Sequence, residues 1–182
     1  MLGYIALGIV LAVALYAVLV YNGLVRYRNW IQESWAQIDV QLKRRHDLIP
    51  NLVETVKGYM KYEQETLAKI VEMRSRLIQG TPEERMEANQ ELGGALRHLF
   101  ALAEAYPDLK ANTTFLRLQE ELTTTENKIA YARQLYNKTV AEYNIRREVF
   151  PANILASLFG FRRVEQLAIP EEEREALQVK LT

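Results

Sequence analysis

The first 25 residues, MLGYIALGIVLAVALYAVLVYNGLV, carry no charged side chain, and this run constrains the fold more than any other part of the chain. Leu2 to Tyr21, built as a helix rising 1.5 Å per residue, extends roughly 30 Å, about the thickness of a bilayer's hydrocarbon core. Tyr21, Tyr27 and Trp30, with Arg26 and Arg28 among them, then make an interfacial belt. A secretory signal is the competing assignment, since Ala12-Val13-Ala14 imitates a cleavage site. No basic stretch precedes the run, however, and cleavage there would fall inside it, so an uncleaved anchor is expected.

Arg26 and Arg28 follow the apolar run and no Lys or Arg precedes it. The positive-inside rule therefore puts the N-terminus outside and the remainder in the cytoplasm, giving a single-pass protein of the cell (inner) membrane. Gly8 and Ala12 form a small-xxx-small pair of the kind that supports helix association in lipid.

The rest of the 182 residues is amphipathic, and 49% hydrophobic content is ample for a packed core. With 23 basic and 23 acidic residues there is no basic excess to suggest a nucleic-acid partner. The absence of cysteine excludes disulfides, a thiolate nucleophile and thiolate metal ligands.

Eight glycines and five prolines punctuate a chain that otherwise reads as helix. Ile38, Leu42, Ile49, Leu52, Val56, Ile70, Met73 and Leu77 fall on one heptad seam, widened by Val53, Met60 and Leu67, and predict one long helix as far as Leu77. Thr81-Pro82-Glu83-Glu84 is a capping box that opens a second helix along Leu92, Leu96, Leu99 and Ala103. After a turn in which Asp108 or Asn112 caps, a third helix runs from about Leu109 to Phe150. It presents Phe115, Leu118, Leu122, Thr125, Ile129, Ala132, Tyr136, Thr139 and Tyr143 at alternating spacings of three and four. Pro151 stops it, and a short apolar helix ends at Gly160. The fold expected is all-α: an N-terminal transmembrane helix and interfacial flank (1–28), an antiparallel bundle of long helices closed by a short C-terminal helix (29–161), and a flexible acidic tail (162–182). Leu52, Val56, Phe115, Leu118, Leu122 and Ile129 are its expected core.

No residue pattern points to catalysis. Neither His46 nor His98 has a carboxylate at the Glu-x-x-His spacing by which bundles build metal sites, and no phosphate loop or nucleophile elbow occurs. No catalytic residue, metal or cofactor is expected. The singular feature is Pro50 inside the first helix, where it lacks an amide and crowds the carbonyl of His46. A bend or joint near residues 46–50 follows, with Asp47 able to cap a new segment. Lys43, Arg44 and Arg45 beside it are placed to meet an acidic partner or lipid headgroups. Arg45 and Glu63 sit at seam positions where apolar residues belong, a pattern that fixes register through ion pairs.

The stretches "IDVQLKRRHDLIPNLVETVKGYMKYE", "EAYPDLKAN", "FLRLQEELTTTENKIAYARQLYNKTVAEYN" and "FPANILASLFGF" together resemble the signatures of the bacterial LemA family. The resemblance covers the chain from the anchor to about Phe161. It implies one N-terminal membrane helix with a helical bundle on the cytoplasmic side. "YMKYE" departs from the family's more usual Tyr-Ala-x-His-Glu by losing a histidine, which speaks against a metal there. The family has no established activity, so the resemblance bears on architecture and leaves function open.

Two function classes fit these readings. The first is a non-enzymatic, membrane-anchored helical scaffold or interaction protein that forms homo-oligomers or docks an unidentified membrane or cytoplasmic protein. The alternative is a membrane-surface module or signalling adaptor that binds lipid or a small apolar ligand, in which "ILASLFGFRR" lies on the bilayer as an interfacial helix.

Overall fold

The computed structural model describes residues 1–168; the part of the expected tail from 169 to 182 lies outside the described residues. Among the described residues there are six α-helices and no strand: α1 (Leu2–Lys57), α2 (Gln64–Arg76), α3 (Pro82–Ala103), α4 (Pro107–Lys110), α5 (Thr113–Glu148) and α6 (Ala152–Leu158). The chain divides into two compact units, to both of which α1 and α5 contribute. One comprises Met1–Ala36 and Ala132–Gln166; the other comprises Gln37–Tyr131 and resumes at Leu167.

The Gln37–Tyr131 unit is an up-down-up-down four-helix bundle. α2 doubles back along α1, so that the Arg74 Nε meets the His46 carbonyl. α3 then runs with α1, pairing Arg85 with Asp39 and Asn89 with Arg45. α5 descends, with Glu126 beside Arg45 and Phe115 edge-on to Phe100. All six expected core positions are buried. Local signals set the boundaries. Thr81 and Glu84 close the expected capping box, and Gly80 before it adopts φ 93°. Asn112 caps α5 by accepting from the Phe115 amide, which starts the long helix at Thr113 and leaves Leu109 in the separate turn α4.

The expected joint at residues 46–50 does not break the helix: α1 continues through Pro50 to Lys57, and Asp47 starts no new segment. The Arg74 contact offsets part of the proline's cost. Proline leaves the carbonyl four residues earlier without its amide partner. That carbonyl belongs to His46, and the Arg74 side chain donates to it at 2.9 Å. The interruption falls later, at Gly58–Glu63. There the Tyr59 and Met60 amides both bond to the Val56 carbonyl and Met60 is buried. The single helix expected as far as Leu77 is therefore two, α1 and α2.

In the other unit α1 buries Leu24, Tyr27, Ile31 and Ser34, and α5 buries Ala132, Tyr136, Val140 and Tyr143. Trp35 and Tyr136 pack edge to face, with centroids 6.2 Å apart. On α5 the buried line steps by four twice, from Ala132 to Tyr136 to Val140. Thr139, expected on the seam, instead turns its hydroxyl to the Leu135 carbonyl at 2.9 Å. α1 makes the same double step at Ser34, Ile38 and Leu42. A strict heptad drifts by about 20° per repeat on a straight helix, and an extra step of four restores the face.

The start of the expected flexible tail is held along α5. Tyr143 donates to the Arg162 carbonyl, the Asn144 side chain bonds both the amide and the carbonyl of Val164, and Gln166 donates to the Asn137 carbonyl. Asn144 thereby satisfies backbone that lies outside any helix or strand.

Candidate functional site

The residues singled out from the sequence fall into two separate places. The first is the interior of the four-helix bundle around Arg45. A guanidinium enters the apolar seam of α1 here with 2% exposure. It is held by Asn89 of α3, 2.6 Å away, and by Glu126 of α5. Burial pushes the Arg45 pKa down while Glu126 pulls against that shift, and the nearby Arg97 adds to the lowering. Charge is retained in a low-dielectric interior only where such partners stand ready. This differs from the expectation that Arg45 faces a partner: it is buried and its Nη1 is held by Asn89 and Glu126 of the same chain, while its buried Nε has no hydrogen-bond partner.

The neighbouring basic residues face solvent. Lys43 pairs with Asp47 at 3.2 Å, one helical turn on, and Arg44 lies 3.6 Å from Glu121. Hydrogen bonds from His46 and Lys43 depress the Asp47 pKa below the usual carboxylate range. Glu63 is half-buried at the head of α2, where its side chain makes no cap. Within the chain Arg45 pairs with Glu126 and not with Glu63, and Pro50 sits half-buried within α1. Beside the break between α1 and α2 lies an apolar groove of about 770 Å³, lined by Val53, Met60, Leu67 and Val71 with Lys57 and Lys61 at its rim.

The second place is the expected interfacial belt. Leu2 to Tyr16 is exposed throughout, and α1 contains a stretch long and apolar enough to cross a membrane. Arg26, Arg28 and Trp30 are exposed. Tyr27, expected at the membrane surface, is instead 9% exposed. It donates to Glu142 at 3.0 Å, meets Trp30 edge-on, and carries Arg146 over its ring at 4.7 Å. Burial also raises the Tyr143 pKa, opposed by the positive charges of Arg147 and Arg28. Tyr21 packs against Phe159 and Phe161, with centroids 5.1 and 5.6 Å away, which brings α6 beside the end of the apolar run.

Asn89, Glu126, Arg74 and Glu142 were not singled out from the sequence. Asn89 lies three residues before Leu92, on the same stripe of α3, and that polar residue on an apolar line was the available signal for a buried partner. Glu126, next to seam residue Thr125, offered a fainter one. Among the described residues no group of three or more His, Asp or Glu side chains is placed to hold a metal ion.

A helical bundle with one long apolar N-terminal helix is the class this architecture defines. The chain belongs to the LemA family, whose model matches residues 34–181. It is 30% identical over 158 residues to Protein LemA of Metamycoplasma hominis, an alignment covering 84% of this chain and 71% of that protein. It is also similar to Magnetosome protein MamQ of Magnetospirillum gryphiswaldense, 24% identical over 80% of this chain, and to Magnetosome protein MamQ 2 of Paramagnetospirillum magneticum, 26% identical over the same share. The chain spans 63% of the length of these MamQ proteins.

Proposed function

We propose that this protein is a non-enzymatic, single-pass membrane-anchored helical scaffold that self-associates and holds partner proteins at the cytoplasmic face of the inner membrane. The observation that carries this reading is α1. One unbroken helix begins in an exposed run long and apolar enough to cross a membrane and continues into a four-helix bundle. The relatives support it modestly, being named for a family and for the magnetosome rather than for a reaction. Self-association rests on the small face of the anchor, where a side chain added at Gly8 would meet nothing within 4 Å. The groove beside Val53 and Met60 offers a place for the apolar face of a partner helix.

Crosslinking in intact membranes, followed by native mass measurement of the extracted protein, tests the scaffold reading. A discrete homo-oligomer, weakened by Gly8→Leu, is the expected result. A monomer under both conditions at every concentration would remove self-association. The positive-inside bias of Arg26 and Arg28 favours a cytoplasmic bundle, and on this reading a C-terminal tag should survive external protease until cells are lysed.

A second reading, lipid binding by the surface of the protein, is favoured by one contact: the chain around α6 packs on Tyr21.

A further inference from the structure

The turn Val149–Pro151 and helix α6 present more exposed apolar surface than a water-facing element tolerates. Phe150 is 79% exposed, Ile154 60% and Leu158 74%, while Ala152 and Ala156 on the opposite side of α6 are buried. Ile154 and Leu158 are one helical turn apart, so the outward face of α6 is an apolar ridge continued by Phe150. A contiguous patch of this kind marks an interaction surface.

Its position identifies what covers it. Val149 and Ala152 line a cavity of about 300 Å³ together with Tyr16, Leu19 and Val20, the last turns of the apolar run of α1. Tyr21, at the end of that run, packs on Phe159 and Phe161. The ridge is thus level with residues 16–21 of α1. A bilayer that surrounds Leu2–Tyr21 reaches it without a second binding event.

The surrounding charge fits an anionic surface. Arg146 and Arg147 precede the ridge, Arg162 and Arg163 follow it, and Arg26 and Arg28 lie on α1, against the acidic Glu142, Glu148 and Glu165. Six positive charges less three negative leave a net of +3 in this layer. Arg162, Arg26 and Arg28 are exposed, whereas Arg163 is partly neutralised by Glu148 at 3.1 Å. Basic residues flanking an apolar interfacial helix add electrostatic attraction to its hydrophobic insertion.

From this geometry we infer that α6 and its leading turn form a second membrane contact, with Phe150, Ile154 and Leu158 immersed at the headgroup boundary and the flanking arginines drawn to anionic phospholipids. The inference rests on the lipid reading above and on residues 2–21 spanning the bilayer. It makes the protein's attachment two-point: one helix through the membrane and one lying on it.

The absence of cysteine makes the test direct, because any introduced cysteine is unique. Ile154→Cys and Leu158→Cys, both at exposed positions, are made in the full chain, labelled with an environment-sensitive fluorophore and reconstituted into phosphatidylcholine vesicles with or without phosphatidylglycerol. Leu11→Cys reports the span and Tyr62→Cys reports water. The expected result is that labels at 154 and 158 lose accessibility to aqueous iodide severalfold relative to Tyr62→Cys. They should be quenched by spin labels carried on lipid, more strongly with phosphatidylglycerol, and the added effect should vanish in R162E/R163E. Aqueous labels at 154 and 158 with a shielded Leu11→Cys overturn the second contact alone. An aqueous Leu11→Cys overturns the span and the inference with it. Labels shielded from iodide yet untouched by lipid quenchers place protein over the ridge and overturn the lipid assignment, and indifference to phosphatidylglycerol overturns the anionic preference.

Discussion

Arg45 puts a guanidinium where the stripe of α1 calls for an aliphatic side chain, and its partners decide whether that is stabilising. Arg45→Ala leaves Glu126 and the Asn89 side-chain Oδ1 without their donor and opens a void in the bundle. A loss of roughly 3 kcal/mol is expected, at the low end of the range for a broken buried pair because Glu126 is partly solvated. Arg45→Met combined with Glu126→Gln should recover most of it, since no unpaired buried charge then remains. Denaturant unfolding in mild detergent checks both. Asp47 gives a different test. Its folded pKa is depressed, first by His46 and then by Lys43. The contribution to stability is therefore present above the ordinary carboxylate pKa of about 3.9 and lost as the pH falls through the lower folded value. A carboxyl NMR titration should place Asp47 below the usual carboxylate range, and His46→Ala should move it back up. A midpoint unaffected by that change would refute the pairing.

Between elements, the contact of Arg74 with His46 predicts a coupling. Pro50→Ala supplies the amide that the His46 carbonyl lacks, after which Arg74 is no longer needed there. Arg74→Ala should thus cost about 1 kcal/mol in the native sequence and clearly less beside Pro50→Ala. A double-mutant cycle measures the difference, and additive losses would show that the two do not communicate. The same region shows what the sequence could and could not convey. The apolar seam was legible because 3,4 spacing follows directly from helical geometry, and the capping box at Thr81 because its hydrogen bonds are local. The break at Gly58–Glu63 was hidden, since Val56, Met60, Leu67 and Ile70 keep the spacing across it. Continuity through Pro50 was hidden for the opposite reason: its remedy comes from a residue 24 positions away. The polar partners of Arg45 and Tyr27 lie on other helices, and only the fold brings them together.

At the scale of the molecule, resistance to carbonate extraction is the expected mark of residues 2–21. Removing residues 1–28 should leave a soluble helical protein, with an uneven effect. The chain from Ala132 to Gln166 loses Leu24, Tyr21 and Tyr27 from its packing, whereas Gln37–Tyr131 loses nothing from its own unit. Hydrogen exchange should quicken at residues 152–164 and stay slow along α3; uniform protection would show that the segment is held by other contacts. The arginine cap on the His46 carbonyl also has a consequence for cooperativity. Helix α1 beyond Pro50 is one hydrogen bond short until α2 folds back upon it, so the last turns of α1 and the whole of α2 belong to a single opening unit. Amides from Leu52 to Lys57 should exchange together with those of α2, at one shared free energy, while the α1 residues before His46 open separately.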